Sequence, residues 1–104
     1  MADKKLTVVA RIKAKPGMEA TVQEALMALV GPTRSEAGCI NYDLHQSQDD
    51  KTLFLFYENW TDKKDLGEHL AMPYLKGFLD RADELLAEPV NISLWDMISQ
   101  PDKG

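Results

Sequence analysis

The stretch that decides the fold is Tyr57–Phe78, which reads YENWTDKKDLGEHLAMPYLKGF. A β-strand is predicted to end at Trp60, and a helix follows over Lys63–Leu70. Pro73 suits the first turn of a second helical segment, because its missing N–H is not needed there. His69 lies near the end of the Lys63–Leu70 helix, so that helix can bring it back toward the strand end. The segment therefore predicts a strand and two helical pieces with a histidine close to a tryptophan.

The rest of the chain predicts one more helix and three more strands. Together with the strand that ends at Trp60, the predicted strands are Lys5–Ala14, Cys39–Gln48, Thr52–Trp60 and Val90–Ile98. The first helix along the chain is Met18–Ser35. A Pro16-Gly17 turn follows the first strand, and Gly31-Pro32 kinks or ends the first helix. The order βαββαβ is typical of a ferredoxin-like α+β fold, with helices on one face of an antiparallel sheet. We expect one domain over residues 1–104, with a core at about 5–98 and a tail at 99–104.

Composition narrows the classes of partner. The 104 residues include 17 acidic and 12 basic side chains, giving a formal net charge of -5. This balance argues against nucleic acid, which would need a basic face. No apolar run approaches the roughly 18 residues of a membrane span. The single cysteine and the absence of a signal-peptide pattern in MADKKLTVV predict a cytoplasmic protein without disulfides.

Both faces of two predicted strands are apolar. The third strand places Leu53, Leu55 and Tyr57 on one face and Phe54, Phe56 and Trp60 on the other. The last strand places Ile92, Leu94 and Ile98 opposite Trp95 and Met97. Helices cover only one face of such a sheet, and a second apolar face exposed to water would be a large adhesive patch. The pattern predicts a homodimer with sheets packed face to face.

Three segments, in this order and spacing, resemble the antibiotic biosynthesis monooxygenase family and its small quinol-monooxygenase-like members. They are LTVVARIKAKPG, GCINYDL and the Tyr57–Phe78 segment, followed by a last apolar strand. The resemblance implies a dimeric α+β barrel, often with the last strand reaching across to the partner. It also implies an oxidoreductase that works without a cofactor. In that activity an electron-rich quinol or polyphenol, once deprotonated, passes an electron to dioxygen.

The candidate site residues follow from their chemistry. His69 is the candidate catalytic residue, because a histidine beside an apolar cavity can accept or donate a proton. The other interpretation is a helix histidine that only packs. Trp60 and Tyr57 are candidates to hold an aromatic ring, or are core or interface residues. Asn59 is a candidate to bind a substrate oxygen, or it caps the strand.

Further candidates line the same predicted pocket. Tyr42 is either core or a pocket hydroxyl, and Tyr74 and Phe78 close the pocket from the helix side. A buried Glu58 needs a partner, and Arg11 on the first strand is the candidate. We expect a structural ion pair or interface contact there, with a catalytic base as the alternative.

The sequence has no GxGxxG after a strand, no P-loop, no paired-cysteine motif and no serine elbow. Its two separated histidines make no metal site. We therefore expect no tightly bound cofactor or metal. Two alternatives stay open. One is a haem-binding or haem-degrading relative, although those relatives carry an asparagine on the first strand where this chain has Ala10. The other is a non-enzymatic small-molecule binding dimer, or an isomerase of a small carbonyl compound.

Overall fold

The computed structural model describes residues 5–100 and places four antiparallel strands against a layer of helices. The strands are β1 (Leu6–Lys13), β2 (Cys39–Gln46), β3 (Leu53–Trp60) and β4 (Asn91–Asp96). The helices are α1 (Glu19–Arg34), α2 (Lys63–Leu70), α3 (Pro73–Asp80) and α4 (Ala82–Leu85). The sheet order β2-β3-β1-β4 confirms the ferredoxin-like prediction. Residues 101–104 of the predicted tail lie outside the described residues.

The core lies between the helices and one face of the sheet, called here the inner face. Alternation in β1 turns four apolar side chains inward, and each is buried: Leu6, Val8, Ala10 and Ile12. Helix α1 packs against them with Val22, Leu26 and Leu29, which its helical period places on one side. The register pairs Val8 with Glu58 of β3, and Tyr42 of β2 pairs with the same glutamate. Glu58 is thus in the middle of the inner face.

Local signals set the element boundaries. Gly17 adopts a φ of 86° in the turn after β1, a conformation that favours glycine. The Asp62 side chain caps α2 by accepting the Asp65 N–H at 2.9 Å. Pro73 occupies the start of α3 as predicted. Helix α1 continues through Pro32 to Arg34 instead of ending at Gly31-Pro32.

The opposite face of the sheet, called here the outer face, is not covered by any of the four described helices. Trp95 of β4 is 57% exposed there, and Tyr57 of β3 is 41% exposed. Strand β4 is an edge strand, so its inward-directed Ile92 and Leu94 are also about half exposed. No helix among residues 5–100 is both long enough and apolar enough to cross a membrane.

Candidate functional site

His69 and Trp60 meet at the end of β3. Helix α2 begins three residues after the strand ends, and this short connection turns the helix back over the inner face. Trp60 is fully buried and His69 is 2% exposed. Their ring centroids are 4.6 Å apart, with planes inclined by 33°, and the His69 ring also meets Tyr42 edge-on at 5.5 Å. The predicted proximity of His69 to Trp60 is therefore confirmed.

A buried carboxylate orients the His69 ring. Oε2 of Glu36 lies 2.9 Å from Nδ1 of His69 and also accepts a hydrogen bond from the Tyr74 hydroxyl. The Glu36 and His69 side chains are 8% and 3% exposed. Because Nδ1 donates to the carboxylate, Nε2 is the ring nitrogen available to a ligand. Sequence reasoning did not identify Glu36 as a site residue.

The loop bearing Glu36 lies very close to α2. A Cβ atom on Gly38 would fall 2.3 Å from the Asp65 side chain, so only glycine fits there without a shift. The Gly38 carbonyl also accepts the Thr61 N–H at 2.9 Å. This close approach brings Glu36 within reach of His69. The sequence offered only a weak indication that Glu36 belongs to the site: it lies two residues before Gly38, at the start of a predicted strand.

Glu58 is a second buried carboxyl group at the site. It is 4% exposed, and its Oε1 accepts the Trp60 indole N–H at 2.9 Å. Burial raises the pKa of Glu58 to about 7, and the nearby Glu36 charge adds to this, while the Trp60 hydrogen bond opposes it. The expected pairing with Arg11 is wrong. Strand alternation directs Arg11 to the outer face, where it pairs with Glu88 at 3.1 Å.

A narrow cavity of about 40 Å³ lies between the inner face and the helices. Glu58 and His69 are its ionisable carboxyl and imidazole groups, and no lysine or arginine among residues 5–100 lines it. Its other walls are aliphatic or aromatic and include Tyr42, Phe56 and Phe78, with Tyr42 stacked on Phe56 at 4.2 Å. Burial raises the pKa of the Tyr42 hydroxyl well above its ordinary value, so it stays neutral.

The structure places the remaining candidates away from this cavity. Tyr74 lines a separate groove between α1 and α3 and reaches the site only through Glu36. Burial, followed by the hydrogen bond to Glu36, raises the pKa of Tyr74 to about 12. Trp60 supports His69 and Glu58 from the side and is not among the residues that line the cavity.

Tyr57 and Asn59 lie on the outer face, opposite Trp60, because neighbouring residues of a strand point to opposite faces. Both ends of the Asn59 amide are hydrogen-bonded there: Oδ1 accepts from the Thr7 hydroxyl at 2.5 Å, and Nδ2 donates to Asn41 at 2.9 Å. The expectation that Tyr57, Asn59 and His69 share one pocket is thus not met. A side chain with both ends bonded across strands has a structural role.

The chain matches the family model described as antibiotic biosynthesis monooxygenase over residues 5–81. It belongs to this family. This confirms the resemblance seen in the sequence. Together with the names of relatives, membership of the antibiotic biosynthesis monooxygenase family indicates a monooxygenase-like function.

Similar proteins match most of this chain, and the name of one of them agrees with this assignment. The chain is 34% identical over 89 residues to Rv0793 from Mycobacterium tuberculosis, whose name proposes a monooxygenase; the match covers 86% of this chain and 87% of that protein. It is 32% identical over 94 residues to the uncharacterized Synechocystis protein sll1783, and spans 64% of that protein's length and 90% of its own. The crystal structure of PA3566 from Pseudomonas aeruginosa is similar at a TM-score of 0.88 and 36% identity, covering 92% of this chain and 96% of that one.

The described part of this antibiotic biosynthesis monooxygenase family member shows no cluster of potential metal ligands. Within residues 5–100, no three His, Cys, Asp or Glu side chains come together in a way that could hold a metal ion. Burial also raises the pKa of the Cys39 thiol to about 11, so it stays protonated. Among the described residues that line the cavity, the groups able to exchange a proton near neutral pH are the His69 imidazole and the Glu58 carboxyl.

Proposed function

We propose that this protein is a monooxygenase that oxidises a quinol-like or polyphenolic substrate with dioxygen and without a tightly bound cofactor. The observation that supports it best is His69, oriented by Glu36, at the edge of an apolar and aromatic cavity. A flat, hydroxylated ring matches such walls, and the imidazole provides a proton acceptor for its hydroxyl group.

The proposed reaction balances without a further reductant. A quinol and dioxygen give a hydroxylated quinone and water: one oxygen atom enters the ring and the other leaves as water. All four electrons come from the substrate. Deprotonation of the hydroxyl makes the ring a better electron donor, so the protein has to remove a proton, hold the ring and exclude water. In this scheme Nε2 of His69 accepts the proton while Glu36 stabilises the imidazolium that forms.

The cavity must widen to admit a substrate. Ligand pockets are commonly about 300–1,000 Å³, far above the volume of this cavity. Leu70 of α2 and Leu79 of α3 line it and are 38% and 41% exposed. Because more than a third of each side chain is exposed, we propose that the substrate enters by displacing them. Phe78 and Tyr42 then contact the ring.

The haem alternative has less support. His69 is 2% exposed, and the cavity would need a far larger expansion for a porphyrin than for a single ring. A binding protein without catalytic activity would use the same cavity, so only a measurement of turnover distinguishes it from the proposed monooxygenase.

Oxygen consumption tests the proposed function. Methylhydroquinone, a naphthohydroquinone and catechol are mixed with the purified protein in an oxygen electrode, and the protein-free rate is subtracted. We expect protein-dependent consumption with one oxygen molecule used per substrate molecule. Consumption at the protein-free rate for all three, together with binding of any of them, would favour a binding protein instead.

We also propose a homodimer formed through the outer face. That face presents Val9, Leu53, Leu55, Tyr57 and Trp95 without a covering helix. Burial of apolar area contributes about 25 cal/mol per Å², so pairing two such faces is favourable. A dimer would leave the inner cavity of each subunit unchanged, since it lies on the other side of the sheet.

A further inference from the structure

Glu58 has an unusual environment for a carboxyl group. It is 4% exposed, lines the cavity, and makes one hydrogen bond to another side chain within the described residues, from Trp60 Nε1 to its Oε1. Its other carboxyl oxygen has no such partner in residues 5–100. A buried carboxyl group is normally more completely satisfied than this. The arrangement suits a group that receives a further hydrogen bond from a ligand.

The neighbours of Glu58 do not neutralise it. Strand β1 contributes the apolar Val8, and β2 contributes the hydroxyl of Tyr42 and the thiol of Cys39. His69 on α2 is committed to Glu36, whose own charge disfavours ionisation of Glu58. In the part of the chain that the structure describes, no lysine or arginine lines the cavity. Within the described residues, Glu58 therefore forms no ion pair. Its carboxyl group lies in a cavity wall that is mostly apolar.

We propose that Glu58 is a further catalytic residue, the carboxylate that takes the proton of a neutral phenolic hydroxyl bound in the inner cavity. This rests on the proposed function. In the step, the substrate O–H bond breaks, its electron pair stays on the substrate oxygen, and the proton moves to the free carboxylate oxygen. Trp60 keeps the carboxylate in place through its N–H. A quinol has two hydroxyl groups, so Glu58 and His69 serve one each.

The charge of the cavity also selects the ligand. With two carboxyl groups near it and no lysine or arginine among the described residues of its lining, the cavity disfavours carboxylates and phosphates. The chemical class is a neutral ring bearing hydroxyl groups. Only the ionised form of Glu58 accepts the proton, so turnover increases with pH through the pKa of about 7 that burial gives this group.

The experiment compares wild type with Glu58→Gln, which keeps an acceptor for Trp60 but cannot ionise. Glu58→Asp retains a carboxyl group, and Glu24→Gln changes an exposed glutamate on α1 as the matched control. Oxygen consumption with methylhydroquinone is measured from pH 5.5 to 8.5, and binding of 4-methylphenol is measured by calorimetry over the same range. Urea unfolding confirms that each variant is folded.

We expect Glu58→Gln to lower turnover by roughly 10²-fold or more and to abolish the rise in rate near pH 7, while it still binds 4-methylphenol. Glu58→Asp should keep the rise at a reduced rate, and Glu24→Gln should match wild type. A folded Glu58→Gln protein with the wild-type rate and pH profile would overturn the role of Glu58 and leave the proposed function standing. In a third outcome, wild type binds 4-methylphenol with a pH dependence that disappears in Glu58→Gln, but wild type consumes no oxygen. This would support the contact between Glu58 and a phenol and overturn the proposed oxidation. Neither binding nor consumption would overturn both.

Discussion

Nδ1 of His69 lies 2.9 Å from Oε2 of Glu36, in a buried contact between residues separated by 33 positions in the chain. The contact joins the loop after α1 to the last turn of α2, and so connects the two halves of the fold. An imidazole held by a carboxylate has a fixed orientation and tautomer, which is what a proton acceptor at a binding site requires. The same contact also stabilises the fold, so the effects of a substitution on turnover and on the free energy of unfolding have to be measured separately.

Replacing His69 with alanine should lower quinol turnover by about 10²–10⁴-fold, the range for loss of a general acid–base group. The variant also leaves Glu36 without one of its two donors, which costs about 1–3 kcal/mol of unfolding free energy. Turnover per folded molecule and the urea midpoint are both needed. His45→Ala is the matched control, because His45 is exposed on β2. Wild-type turnover in folded His69→Ala would assign His69 a structural role.

Replacing Glu36 with alanine should be among the more damaging changes to stability, since it leaves His69 Nδ1 without its acceptor and leaves the Tyr74 hydroxyl only the longer contact with the Pro32 carbonyl at 3.4 Å. We expect a loss of about 2–4 kcal/mol in urea unfolding, and about 1 kcal/mol for Tyr74→Phe, which removes one donor. Glu24→Ala on the exposed side of α1 should stay within about 0.5 kcal/mol of wild type. Equal losses for Glu36→Ala and Glu24→Ala would mean that the contact does not form in solution.

Glu58 should make stability fall as pH rises from about 4.5 to 7. Burial raises its pKa from 4.5 to about 7 in the folded protein, so between these values the folded state binds the extra proton. Its contribution is complete below pH 4.5 and is lost once the pH exceeds 7. At 1.36 kcal/mol per pKa unit, the contribution is on the order of 3 kcal/mol. The difference in unfolding free energy between wild type and Glu58→Gln, measured across this range, isolates it; a difference independent of pH would contradict the assignment.

Leu55→Lys should convert the protein from dimer to monomer, because it places a charge in the centre of the outer face. Met27→Lys is the control: Met27 is also a large exposed apolar residue, at 56%, but it lies on α1. Light scattering at micromolar concentration should give a dimer mass for wild type and Met27→Lys. A monomer mass for wild type would end the proposal.

Local sequence was sufficient for the fold and for part of the site. The proximity of His69 to Trp60 was predictable because only two residues join β3 to α2, which leaves the helix little choice of direction. Asp62 and Pro73 define helix starts through their own side chains, so these boundaries are local too.

The rest of the site depended on contacts that periodicity does not reveal. Glu36 reaches His69 only because Gly38 allows the loop and α2 to approach, which is a tertiary effect. Asn59 and Tyr57 were grouped with Trp60 by their nearness in sequence, although strand alternation separates them. The Arg11 pairing failed for the same reason: Arg11 and Glu58 belong to opposite faces of neighbouring strands.

The tetrapeptide Tyr57-Glu58-Asn59-Trp60 therefore contributes to two surfaces at alternate positions. Substitutions at one pair of positions can change ligand chemistry while the other pair, which faces a prospective partner subunit, remains as it is. An insertion or deletion of a single residue in β3 would change both surfaces at once. It would exchange the inner-face and outer-face residues and so move the Glu58 carboxyl group and the Trp60 indole out of the interior. Among relatives, this strand should vary by replacement and not by length.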